Sequence, residues 1–132
     1  MERQRVSSGA KWEPVHGYSR AVRIRNTVFV SGTVGLRSDG SVAAGAYEQT
    51  QRALEIIRKA LEETGARITD VVRTRIFVTD VGQFEEVARA HREVFGDIRP
   101  ASSMVEVRRL LDDAFLVEVE ADAVVLEAED RT

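Results

Sequence analysis

The 132-residue chain contains no cysteine. That excludes a disulfide framework, thiol catalysis and thiolate zinc sites, and it fits a reducing compartment. Histidine is nearly as scarce: His16 and His91 are the only two. They are far apart and lack an acid at ligand spacing, so no metal site is expected. Aromatic residues make up 6% and the formal net charge is −3. An acidic chain without basic and aromatic residues interleaved gives no expectation of nucleic-acid binding. No apolar run approaches the ~18 residues that cross a bilayer. The segment Met1 to Lys11 is polar and has no apolar signal core, so a cytoplasmic, soluble protein with no membrane partner is expected. Phosphate-loop, dinucleotide and Gly-x-Ser-x-Gly signatures are missing too; Gly32-Thr33-Val34-Gly35 has no following lysine and reads as loop. No cofactor is expected.

What is present is the balance of a globular protein, 43% hydrophobic and 31% charged. The length suits one domain over residues 1–132, burying roughly two-thirds of its unfolded surface. Its core is expected over about 15–126, between a flexible N-terminal approach and a frayed acidic tail from Glu127.

Arg20 to Arg25 and Thr27 to Ser31 read as two strands turning at Arg25-Asn26, followed by a long irregular connection through Gly32, Gly35, Gly40 and Gly45. From Tyr47 to Thr64 the period becomes helical, with Thr50, Ala53, Leu54, Ile57 and Leu61 on one stripe and Gly65 as a stop. Val71 to Val78 alternates, with Val72, Thr74, Ile76 and Val78 on one side and Arg73, Arg75 and Phe77 on the other. A second helix carries Phe84, Val87, Ala88, His91, Val94 and Phe95 on its apolar stripe and ends at Gly96. Ser102 to Val107 and Leu116 to Val125 close the chain as strands around a turn at Asp112-Asp113. The pattern predicts an α+β domain of order β-β-α-β-α-β-β, with two helices on one face of the sheet.

In the last strand, Val117, Val119, Ala121, Ala123 and Val125 form the row expected beneath the helices. The opposite row mixes Leu116, Glu118, Glu120, Asp122, Val124 and Leu126, and Arg73, Arg75 and Phe77 are mixed in the same way. Such a face suits a subunit interface, in which ion pairs set register and apolar members are buried. The alternative is a solvated face with cross-strand ion pairs, each of small worth.

His91 reads as a hydrogen-bonded structural histidine and Trp12 as a cover for a core edge. Glu118 and Glu120 lie two apart on a strand and so share a face. Paired carboxylates in a cleft can hold water or divide their pKa values for acid–base work. Spacing alone favours a simpler role, salt bridging to Arg73, Arg75 or Arg108.

Several blocks taken together resemble a known family. They are Val15-His16-Gly17-Tyr18-Ser19-Arg20-Ala21, Val28-Phe29-Val30-Ser31-Gly32, Asp70 to Asp80, Arg99-Pro100-Ala101-Ser102-Ser103-Met104-Val105-Glu106-Val107, and Val117-Glu118-Val119-Glu120-Ala121. In order and spacing from about Tyr18 to Val125, they identify the chain as a member of the Rid family. These are the reactive-intermediate (enamine/imine) deaminases, also labelled endoribonuclease L-PSP. The resemblance implies a chorismate-mutase-like fold and a homotrimer with small-molecule sites in clefts between subunits. It also implies a glutamate that places water on an imine carbon, here Glu118, with Tyr18, Ser31 and Gly32 lining the cleft.

The sequence departs from the family pattern at the substrate clamp. Active deaminases carry Pro-Ala-Arg, and this chain has Pro100-Ala101-Ser102. A serine offers one neutral hydrogen bond where a guanidinium offers a bidentate, charge-assisted pair. The asparagine often found on the second helix is Ala88. Ser102 and Ser103 remain candidates for binding a neutral polar group, and Arg99 is a candidate substitute for the clamp. The reading is a cofactor-free hydrolase of a small imine or enamine, with altered or weak deaminase activity. The alternative is a non-catalytic, ligand-binding trimer.

Overall fold

Local sequence sets most of the elements, and contacts distant in sequence set the rest. In the computed structural model, which describes residues 2–127, the chain runs β1 (Arg3–Val6), α1 (Trp12–His16), β2 (Ala21–Ile24) and β3 (Thr27–Val34). It continues with α2 (Ala46–Glu63), β4 (Val71–Val78), α3 (Phe84–Phe95), β5 (Ala101–Glu106) and β6 (Val117–Val124). The six strands form one sheet in the order β1-β2-β3-β6-β4-β5. All neighbours are antiparallel except β4 and β5, which run parallel across the α3 crossover. The mixed α+β architecture and both long helices agree with the sequence reading.

Arg25-Asn26 makes the expected two-residue turn, and Arg25 takes the φ of +53° that a tight hairpin favours at its first position. Gly65 follows α2 at φ +85°, a conformation that costs other residues steric strain. The core lies between the helices and one sheet face. Val117, Val119, Ala121 and Ala123 of β6 are buried there with Leu54, Ile57 and Leu61 of α2, and with Val87 and Phe95 of α3. Buried Gln49 ties the loop before β6 to the start of α2. Its amide donates to the Ala43 carbonyl at 2.7 Å and the Ala114 carbonyl at 2.8 Å, and its oxygen accepts from the Leu116 N–H at 2.9 Å.

Four expectations are corrected. The N-terminal approach is structured: β1 pairs with β2, Val6 joins the core, and α1 follows. Three of the four β1 residues are exposed, so this strand carried no alternating apolar signal. Second, β3 continues through Gly32 to Val34, because Thr33 and Val34 pair with Val119 and Glu118. Third, Val72 is 47% exposed, because a register shift between Val71 and Arg73 turns it off the core row. Fourth, Phe84, the first residue of α3, lies at the helix margin and is 52% exposed. Trp12 does cover a core edge, packing edge-on against Phe115 with ring centroids 5.6 Å apart. The expected frayed tail falls largely outside the described residues, beyond Glu127.

Candidate active site

A β-bulge builds the floor of the site. Val30 opposes Ala121 and Thr33 opposes Val119, so Ser31 and Gly32 together span the single residue Glu120 of β6. The bulge shifts the alternation of β3, burying Thr33 where strict period two would have turned it outward. It also places Gly32 beneath the side chain of Glu118. A Cβ on Gly32 would stand 2.9 Å from the carboxyl carbon of Glu118 and closer still to its Oε2. The absence of a side chain at Gly32 is what leaves room for this carboxylate.

Glu118, Gly32, Tyr18 and Arg20 line one cleft of about 540 Å³, walled by residues 6–10 and by one side of α2. Glu118 makes no hydrogen bond or ion pair among the described residues. Burial raises its pKa above the ordinary carboxylate value, the negative charge of Glu120 adds to the rise, and Arg20 opposes it. The two glutamates therefore divide their roles. Glu120 bridges to Arg75 at 3.2 Å, together with Asp122 at the same distance. That is the salt-bridging role which spacing favoured, taken by one member of the pair and not the other.

Arg20 is the feature that sequence reading missed. Only 5% exposed, its guanidinium donates from Nη1 to the Gly32 carbonyl at 2.7 Å and to Thr33 Oγ1 at 3.0 Å. Nη2 donates to the Tyr18 hydroxyl at 3.1 Å, and Nε donates to Ser8 Oγ at 3.3 Å. Glu13 lies 3.8 Å away, also buried. Burial pushes the Glu13 carboxyl upward, but donors from Ser8 and Ser7 and the nearby Arg20 outweigh this and hold it below its usual range. No local pattern announces an arginine at the head of a strand as the centre of such a network.

The other sequence-derived candidates lie elsewhere. Ser31 is part of the bulge, and its hydroxyl donates to the Ser19 carbonyl at 2.7 Å. Ser102 sits on edge strand β5, beside Thr74 in register. It accepts a 2.7 Å hydrogen bond from the fully buried Thr74, whose hydroxyl also lies 2.9 Å from His91 Nε2. His91 is thus a hydrogen-bonded helix histidine, and burial holds its pKa below the ordinary imidazole value. Ser103, exposed and in register with Arg75, belongs to the uncovered face. Arg99 is exposed and donates to the Gly96 carbonyl at 3.0 Å. Within one protomer the structure brings Tyr18, Gly32 and Glu118 together. It leaves Ser31, Ser102, Ser103 and Arg99 outside the cleft walls.

The sheet, its two covering helices and this carboxylate-bearing cleft define a small α+β protein of the RidA type. The sequence profile of the Endoribonuclease L-PSP family matches residues 9–125, and the chain belongs to that family. A crystal structure of Rv2704 from Mycobacterium tuberculosis, described as a member of the highly conserved YjgF/YER057c/UK114 family, is 48% identical. It superposes with a TM-score of 0.87 over 94% of this chain and 100% of that one. A RutC family protein of Pyrococcus abyssi is 37% identical, covering 84% of this chain and 88% of its own. A protein of Dermatophagoides farinae named 2-iminobutanoate/2-iminopropanoate deaminase is 32% identical, covering 91% and 94% respectively. No helix among the described residues is long and apolar enough to cross a membrane.

Proposed function

We propose that the chain is a cofactor-free hydrolase of small imines or enamines, working in clefts between the subunits of a homotrimer. The observation that carries this reading is the partly buried Glu118 carboxyl, unpaired among the described residues and standing over Gly32 in a cleft shared with Tyr18. A carboxyl whose pKa is raised toward the working pH can both take and return a proton. Glu118 accepts a proton from water as the oxygen bonds to the imine carbon, and the C=N electron pair, moved onto nitrogen, takes up a proton from solvent. The carboxylic acid then returns its proton to the amino group of the carbinolamine. The C–N bond breaks with its pair on nitrogen, ammonia leaves, and the hydroxyl releases its proton to solvent as the carbonyl forms. Imine and water enter and carbonyl compound and ammonia leave, with no redox change.

The naming of relatives as iminobutanoate/iminopropanoate deaminases supports the substrate class. Ser102, in place of the clamping arginine, points away from strongly anionic substrates and toward neutral ones. A trimer is supported by the uncovered sheet face, where Phe29 is 50% and Val105 47% exposed beside the Arg75 ion pairs.

Two measurements test the reading. Sedimentation should give three times the chain mass of 14.7 kDa, and a stable monomer at micromolar concentration would return the mixed face to solvent. Enzymatically generated neutral and anionic imines, competed with semicarbazide, should be cleared faster by wild type than by Glu118→Gln, and the neutral imine should be preferred. Equal clearance by both proteins would favour a ligand-binding trimer without chemistry.

A further inference from the structure

We propose that Arg20 is the positioning residue of this site. Its buried guanidinium holds the Gly32 carbonyl and the Tyr18 hydroxyl in a fixed fork and sets a permanent positive charge beside Glu118, while Glu13 anchors the fork. The inference deepens the hydrolase reading and rests on the assignment of Glu118.

Three observations carry it. The guanidinium spends donors on three segments at once: Gly32 and Thr33 of the β3 bulge, Tyr18 before β2, and Ser8 of the N-terminal segment. The planar fork of arginine can satisfy such a set, and a single lysine ammonium cannot match it in geometry. Second, Gly32 links the two halves of the site. Its carbonyl is held by Arg20, and its missing side chain leaves the space taken by the Glu118 carboxylate. Any slack in the fork therefore passes to the carboxylate through one residue. Third, Glu13 is itself built in. Its Oε2 accepts from the Ser8 N–H at 3.1 Å, the Ala10 N–H at 3.3 Å and the Ser8 hydroxyl, which fixes the counter-charge and folds residues 7–13 over the cleft.

Glu55 and Glu63 line the cleft with Arg37, Arg52 and Lys59, but two charges among the described residues shift Glu118. Glu120 lies on its own strand and Arg20 comes from the segment before β2. In register it faces Phe77 on β4 and Val34 on β3. The β4 cation Arg75 is committed to Glu120 and Asp122. Arg37, Arg52 and Lys59 line the same cleft, but among the described residues Arg20 is the one cation whose charge lowers the Glu118 pKa, so its removal should be visible in the titration of Glu118.

The experiment follows the Glu118 carboxyl carbon by NMR across pH, with the signal assigned by its loss in Glu118→Gln. Arg20→Gln should move the midpoint upward. Arg20→Lys should leave it near the wild-type position yet cut imine turnover about tenfold or more, because the charge stays and the fork is lost. Should Arg20→Gln fail to fold, Glu13→Gln/Arg20→Gln removes the buried Glu13 carboxylate together with its counter-charge and should show the same upward shift at Glu118. An unmoved midpoint in the folded neutral variants, or Arg20→Lys with wild-type turnover, would overturn the proposal. The titration needs no turnover. If Glu118→Gln proves fully active, the hydrolase reading falls while the coupling of Arg20 to Glu118 is still measured.

Discussion

Replacing Gly32 by alanine tests the carboxylate's placement with a single methyl group. The added Cβ would lie 2.9 Å from the carboxyl carbon of Glu118, inside the distance that carbon atoms tolerate. Gly32 has no positive φ, so alanine can adopt its backbone conformation. The group it strikes is the far end of a flexible side chain, so the carboxylate gives way and the sheet does not. The fold loses about 1 kcal/mol at most to the local overpacking, and the reduced freedom of the unfolded chain offsets about 0.4–1 kcal/mol of that. The melting temperature should therefore stay within about 4 °C of wild type. Catalysis is far more sensitive, since moving a reacting group by ~1 Å can cost about a hundredfold in rate. Imine clearance against semicarbazide should fall by that order, while the far-ultraviolet circular dichroism spectrum is unchanged. Full activity in a folded Gly32→Ala protein would show that the position of Glu118 over Gly32 has no bearing on the chemistry.

Ser102→Arg restores a guanidinium on the exposed edge strand, and should improve binding of a small 2-oxo acid by about ten- to a hundredfold by calorimetry, for ~1.5–3 kcal/mol of charge-assisted pairing. Thr74→Val removes the hydroxyl that joins Ser102 to His91, and should cost about 1–2 kcal/mol in urea titration. Because burial lowers the His91 pKa, the unfolded chain binds the proton more tightly. Wild-type stability should fall as pH drops below the unfolded imidazole value of 6.5, and His91→Gln should flatten that slope. Burial raises the Glu118 pKa, so the sign reverses: folding loses stability as pH rises from 4.5 through the elevated value, and Glu118→Gln should remove that loss in the same titrations.

Patterns local in sequence were legible. The stripe of Ala53, Leu54, Ile57 and Leu61, the alternation of β6 and the turn at Arg25-Asn26 needed only near neighbours. What escaped depends on partners distant in the chain. The two bulges exist only relative to β6, so nothing within residues 31–32 or 71–73 marks them. Polar β1 is a strand because the edge of β2 accepts it, and Glu13 and Arg20 look like ordinary surface charges until the cleft closes around them. Glu118 and Tyr18 were found through family motifs, and alternation alone could not separate Glu118 from Glu120. The uncovered face was legible as mixed, and the exposed Phe29 and Val105 fit that reading.

β6 keeps unbroken alternation along its whole length, while β3 and β4, the strands on either side, each slip against it once. It behaves as a ruler and its neighbours as adjustable scales. A residue inserted into or deleted from β3 near Ser31 or β4 near Val72 can be absorbed by a bulge already there, altering local twist and leaving distant register alone. The same change within β6 would exchange Val117, Val119, Ala121 and Ala123 with the acids between them, inverting both faces of the sheet at once. Tolerance of length variation in this fold is thus unevenly distributed, and a library that randomises length should place its insertions and deletions at those two slips.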